Sequence, residues 1–141
     1  MYKDATIPEI DTALQQAWKA FHIYRQCTLK QRAGFMRAIA KEIERLGDEL
    51  LNVTGEETNL PEARLRNERA RTIYQLTSYA DACEKGDWLE VRIDTALPEK
   101  APPKPDIRKM LVPLGPVIVF GAANFPFAYS TAGGDTDTAF A

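Results

Sequence analysis

The sequence has 141 residues, and its 18 basic and 20 acidic side chains leave a net charge of −2 at pH 7. That length predicts one domain, and a 45% hydrophobic content is enough for an ordinary core. The balanced charge excludes an electrostatic case for nucleic acid or an anionic membrane as partner, and no apolar run approaches the roughly 18 residues of a membrane span.

Met1-Tyr2-Lys3-Asp4 lacks the apolar core of a signal peptide. From Pro8 to about Gln26, the apolar residues Ile10, Ala13, Leu14, Ala17, Trp18 and Phe21 recur every three or four positions. This predicts an amphipathic helix with Pro8 in its first turn. Thr28 with Gln31 has the spacing of a capping box, which starts a second helix. Its stripe runs through Phe35, Met36, Ile39, Ala40, Ile43 and Leu46, and Gly47 stops it. Asp48 is expected to cap a shorter helix, Glu49 to about Glu57. Asn59-Leu60-Pro61 restarts the chain as a long helix to about Lys85, which offers Leu65, Ala70, Ile73, Leu76, Tyr79, Ala80 and Cys83 to a core.

After Gly86 the pattern changes. Trp88–Asp94 alternates as a half-exposed strand does, Pro98–Pro105 forms an extended connection or hairpin tip, and Ile107–Pro113 is a second strand candidate. Leu114-Gly115-Pro116 turns into Val117–Phe120, a continuous apolar run that reads as a strand buried on both faces. Gly121–Pro126 is a small-residue turn, and a further helix is expected from about Phe127. The fold class is therefore α/β: a helical layer, a peripheral β-hairpin, then the first strand-turn-helix of an incomplete Rossmann-like sheet. One strand-turn-helix step needs a second parallel strand, which these residues do not supply. The chain also stops in a helix-like stretch, Asp135–Ala141, with no Gly, Asn or Pro stop signal, so truncation is expected.

In α/β folds, ligands sit where the strand ends in such a turn. The turn here carries one polar side chain, Asn124, whose amide is either a turn-former or a donor to a developing oxyanion. The segment Leu114–Pro126, which ends Gly-Ala-Ala-Asn-Phe-Pro, resembles the Asn-Phe-Pro segment of the aldehyde dehydrogenase superfamily. Together with Ala132-Gly133-Gly134-Asp135-Thr136, Arg92–Pro98, Arg108–Pro116 and Glu57–Leu65, it is similar to the α-ketoglutarate semialdehyde (2,5-dioxopentanoate) dehydrogenase branch.

The resemblance implies an oxidoreductase that takes an aldehyde, α-ketoglutarate semialdehyde, to its acid with NAD or NADP. It gives Asn124 the oxyanion-hole role. It makes Phe120, Gly121, Ala122 and Ala123 cofactor-side residues, and Phe125, Ala128, Tyr129 and Ala132 the helical face that lines the substrate tunnel; core packing is the competing reading of Phe125 and Tyr129. The resemblance further implies a domain order of residues 1–86 as the helical N-terminal part, 87–114 as an oligomerisation hairpin, and 115–141 as the start of the cofactor domain. A homo-oligomeric parent is expected on the same ground.

The family's nucleophilic Cys, general-base Glu and cofactor-binding Lys all follow this segment, so the chain reads as an inactive N-terminal fragment. The alternative is a non-catalytic helical interaction or assembly module derived from the same fold. Cys27 and Cys83 match no catalytic position and read as structural or free thiols in a cytoplasmic protein. His22 has no ligand partners nearby in sequence, and no metal site is expected. Arg64, Arg66, Arg69 and Arg71 form a basic helix section beside Glu62 and Glu68. It reads as a solvated face, or as the source of one arginine for a substrate carboxylate.

Overall fold

The computed structural model describes residues 3–141. Four helices come first: α1 (Ile7–Tyr24), α2 (Leu29–Arg45), α3 (Gly47–Thr58) and α4 (Glu62–Lys85). Local chemistry sets their ends. The Thr28 N–H donates to Gln31 Oε1 at 2.8 Å while the Gln31 N–H donates to Thr28 Oγ1 at 3.2 Å, closing the expected capping box. A second box, not singled out in the sequence, starts α1: the Thr6 N–H donates to Glu9 Oε2 at 2.7 Å, which lowers the pKa of the Glu9 carboxyl. Gly86 ends α4 at φ +74°, a left-handed conformation that glycine adopts without a Cβ penalty.

The core lies between α2 and α4. Ala33, Met36 and Ala40 of α2 close against Leu76, Ala80 and Cys83 of α4, with Ile39, Ile43, Ile73 and Tyr79 packed around them. This follows the expected stripes of both helices, except that Phe35 and Leu46 are exposed at the edge and Ala70 faces outward. The α1 stripe behaves differently. No residue of α1 is buried, and Ile10, Leu14 and Trp18 are all about half exposed. Periodicity thus located the helix but not a partner for its apolar face. Asp48 is likewise not a cap: α3 starts at Gly47, and Asp48 sits in the first turn, where Arg66 Nη1 donates to it at 2.9 Å. That contact lowers the pKa of the Asp48 carboxyl.

Beyond Gly86, the expected strand Trp88–Asp94 is shorter than its alternation suggested. A 3-10 turn takes up Asp87–Leu89, because Trp88 folds back and its Nε1 donates to the Cys83 carbonyl at 3.4 Å. Only β1 (Arg92–Asp94) and β2 (Ile107–Lys109) pair, antiparallel, with Ile93 opposite Arg108. The Leu97–Lys104 bridge closes the proline-rich tip as expected of a hairpin. The short helix α5 (Gly134–Phe140) then packs on α4 and α2. There Tyr24, Phe35 and Phe140 form a cluster with ring centroids 5.3 to 6.0 Å apart, and Tyr24 Oη donates to the Phe140 carbonyl at 2.8 Å. Burial pushes the Tyr24 phenol up to about 12. The architecture is mostly helical with one two-stranded sheet.

Candidate functional site

The stretch from Pro113 to Phe120 forms neither strand nor helix among the described residues. The expectation of a strand buried on both faces fails here: Val117 is 59% exposed, Ile118 66% and Phe120 86%. A strand needs a ladder partner for its N–H and C=O groups, and the only two-stranded ladder among the described residues lies elsewhere, between β1 and β2. The apolar run therefore stays open on the surface.

The expected helix from about Phe127 is also absent. Residues 121–133 form a compact series of turns instead, held by main-chain bonds from the Ala122 N–H to the Tyr129 carbonyl at 2.7 Å and from the Gly134 N–H to the Ala128 carbonyl at 3.0 Å. Pro126 lacks an amide donor, and Gly133 permits a main-chain approach that no other residue allows. A Cβ at Gly133 would sit 2.4 Å from the Ala128 carbonyl oxygen. Regular helix begins only beyond it, at Gly134.

Helix α4 holds this loop in place. Arg64 Nη2 donates to the main-chain carbonyl oxygen of Asn124 at 2.6 Å, and its guanidinium lies 5.2 Å from the Phe125 ring centroid. One turn further on, Glu68 Oε1 accepts from the N–H groups of Phe127 at 2.8 Å and Ala128 at 3.0 Å. Glu68 is only 6% exposed, so it does not belong to the solvated face read from the sequence. A buried carboxylate receiving two amides is a strong, charge-assisted anchor. Arg71 lies 5.4 Å from the Tyr129 ring centroid, and its Nη2 donates weakly to Tyr129 Oη at 3.4 Å.

The four residues expected on one tunnel-lining face are divided by this geometry. Phe125 and Tyr129 meet edge to face, with centroids 5.4 Å apart, on the side bearing Arg64 and Arg71. Ala128 is buried beneath the loop against α4, and Ala132 is half-buried. Because no helix forms here, helical spacing does not bring the four to one face.

Asn124 is exposed, and among the described residues its carboxamide has no hydrogen-bond partner, while its main chain is clamped by Arg64. An amide on a fixed backbone with a free NH2 can donate to an incoming oxygen. Phe120, Gly121, Ala122 and Ala123 precede it and are all exposed. The last three carry nothing beyond Cβ, which leaves room for a flat ligand on their exposed side, although the Ala122 N–H is taken by the Tyr129 carbonyl, and Phe120 offers an uncovered ring.

An apolar cavity of about 510 Å³ lies elsewhere: Phe21, Tyr24, Cys27, Phe35, Val119 and Phe140 are among its lining. Cys83 is buried, and burial raises its thiol pKa, which suits a structural thiol rather than a nucleophile. His22 lies exposed on α1, edge-on to Trp18 at 4.8 Å. Among the described residues, no group of three His, Cys, Asp or Glu could hold a metal, and no helix is long and apolar enough to cross a membrane.

The roles of Arg64 and Glu68 in this loop had no local signal, since their partners lie about 60 positions away. Asp137 of α5 was also missed. It is 1% exposed, with Oδ2 unpartnered among the described residues, and burial raises its carboxyl pKa to about 7.

The aldehyde dehydrogenase family model matches residues 1–133, which include Asn124 and the whole of α4. The chain belongs to the aldehyde dehydrogenase family. It is 48% identical over 142 residues to an alpha-ketoglutaric semialdehyde dehydrogenase of Acinetobacter baylyi, covering 100% of this chain and 27% of that protein. It is also 48% identical over 134 residues to alpha-ketoglutaric semialdehyde dehydrogenase 2 of Azospirillum brasilense, covering 94% of this chain and 26% of that one. The chain thus spans about a quarter of the length of these aldehyde dehydrogenase relatives.

Proposed function

We propose that these residues supply the oxyanion donor and part of the coenzyme and substrate surfaces of an NAD(P)-dependent aldehyde dehydrogenase that oxidises α-ketoglutarate semialdehyde to the dicarboxylate. The observation that carries this reading is Asn124: an exposed carboxamide without a partner among the described residues, on a peptide clamped by Arg64 at 2.6 Å. The names of two relatives at 48% identity support the choice of aldehyde.

The chemistry follows from the charge that must be held. When a nucleophile adds to an aldehyde, the carbonyl oxygen gains negative charge, and a preorganised N–H donor favours that state over the ground state. Asn124 Nδ2 is the donor. Arg64 and Glu68 fix the peptide planes on either side of it, so less ordering is left to the moment of reaction. Phe120, Gly121, Ala122 and Ala123 would hold the nicotinamide coenzyme, which when bound supplies the hydride acceptor. Gly121, Ala122 and Ala123 are small and exposed, which leaves room for a flat group beside the uncovered Phe120 ring. Phe125 and Tyr129 would flank the aldehyde, and Ala128 and Ala132 support them from below.

Residues 1–86 are the helical part of this enzyme and 115–141 the start of its coenzyme domain. Its Rossmann-like sheet would give Val117–Phe120 the ladder partner it lacks here. The hairpin in 87–114 would pair with another subunit of a homo-oligomer. On this reading the 141 residues alone do not turn over, because the nucleophilic Cys and general-base Glu of the resemblance lie outside them.

The test is aldehyde-dependent reduction of NAD+ and NADP+ by the complete gene product, with α-ketoglutarate semialdehyde as substrate. Reduction of either coenzyme supports the reading. Failure to reduce both, by a folded protein, contradicts it.

A further inference from the structure

We propose that Arg71 is the residue that recognises the carboxylate at the far end of the aldehyde substrate. This rests on the functional reading above and adds to it the residue that selects the substrate.

The four arginines of α4 are not equivalent. Arg66 is neutralised by Asp48 at 2.9 Å and Glu62 at 2.6 Å. Arg69 donates to the Gly47 carbonyl. Arg64 is committed to the Asn124 carbonyl and the Phe125 ring. Arg71 reaches only two neutral acceptors, Gln75 Oε1 at 3.2 Å and Tyr129 Oη at 3.4 Å, and among the described residues no carboxylate pairs with it. Both contacts are long for guanidinium bonds and would yield to a charged acceptor at little cost.

Position also favours this residue. Arg64 and Arg71 are seven residues apart, which puts them on one face of α4 about 10 Å apart along its axis. They bracket the Phe125–Tyr129 ring pair, with Arg64 beside the Asn124 peptide and Arg71 beyond the second ring. The guanidinium lies over the Tyr129 ring at 5.4 Å, and its exposed N–H groups can exchange their long neutral contacts for a two-point contact with a carboxylate. A substrate with its aldehyde oxygen at Asn124 and its chain along the two rings would carry an acidic end towards Arg71.

The test compares Arg71→Gln, Arg71→Lys and wild type in the complete gene product. The substrates are anionic α-ketoglutarate semialdehyde and neutral pentanal, which has the same chain length. The expected result for Arg71→Gln is a fall in kcat/KM for the anionic substrate of about 10- to 100-fold, carried by KM, with pentanal changed less than about 3-fold. Arg71→Lys should recover part of the loss, since it keeps the charge but not the fork. Equal losses on both substrates, or none on the anionic one, would overturn the assignment.

Titration with glutarate, followed by calorimetry, needs no turnover and separates this inference from the functional reading. If wild type oxidises neither aldehyde, that reading fails, and glutarate then decides the subsite. Binding by wild type that is weakened in Arg71→Gln upholds it. Equal binding by both, or by neither, rejects it.

Discussion

The guanidinium of Arg64 donates to the main-chain carbonyl of Asn124 at 2.6 Å, tying the loop that bears the candidate oxyanion donor to α4, the helix that packs against α2, α3 and α5. The tie acts on the peptide rather than the side chain, so it fixes the position of the Asn124 amide without occupying it. Arg64→Gln should therefore lower kcat of the complete gene product by roughly 10-fold, the worth of one charged hydrogen bond. KM for the coenzyme should stay within about 2-fold, and Arg64→Lys should recover part of kcat. Steady-state kinetics read both constants, and an unchanged kcat would remove Arg64 as a positioning residue.

Glu68 is the second tie, and its burial makes it a stability prediction. Replacing it with Ala leaves the Phe127 and Ala128 amides without their acceptor. The expected cost is about 2–3 kcal/mol in denaturant unfolding, as for groups bonded to a buried charge. Glu68→Gln, which keeps an acceptor oxygen, should cost less. Equal losses for the two variants would mean that the negative charge, and not an acceptor oxygen alone, is what the loop needs, and no loss in Glu68→Ala would contradict the tie.

Gly133 is needed for space alone. Its φ of −92° is open to any residue. The obstacle to Gly133→Ala is the 2.4 Å approach of the new Cβ to the Ala128 carbonyl oxygen, a main-chain atom that cannot swing aside. The loop must shift, and a loss of about 1–3 kcal/mol is expected, as for overpacked interiors. A thermal melt with an unchanged midpoint would contradict this.

The pH dependence of stability should carry the mark of Asp137. Its folded-state pKa of about 7 stands above an ordinary value of 3.8 because burial disfavours the charged carboxylate. Between those values the folded chain holds more protons than the unfolded one, so stability falls as pH rises from about 4 to 7 and then levels. Asp137→Asn removes the titration. The variant should match wild type near pH 4 and exceed it above pH 7, by at most about 4 kcal/mol. Unfolding free energies measured across that range would refute the account if the difference did not grow with pH.

What could be read in advance was what neighbours in sequence determine. The Thr28–Gln31 box, the end of α4 at Lys85 and most of the α2 and α4 core stripes depend on residues within a few positions, and they appear in the structure. Val117–Phe120 did not form its strand, because an apolar run can fix the strand's composition but cannot supply its ladder partner. The helix expected at Phe127 gave way to turns for a different reason: Glu68 and Arg64 hold the peptides in a non-helical path from about 60 positions away. Asn124 was legible as a motif residue. The two α4 side chains that fix its loop were not, since an Arg-rich, Glu-bearing helix section looks the same whether it faces water or a loop.

The most direct test of the central claim, that Asn124 is the oxyanion donor, is single-turnover reduction of NAD(P)+ by wild type and Asn124→Ala in the complete gene product with α-ketoglutarate semialdehyde. The account predicts a rate about 100- to 1,000-fold lower in the variant, with coenzyme binding and melting temperature essentially unchanged. A rate within about 3-fold of wild type would contradict it, and would leave Asn124 as a turn residue whose exposed amide takes no part in the reaction.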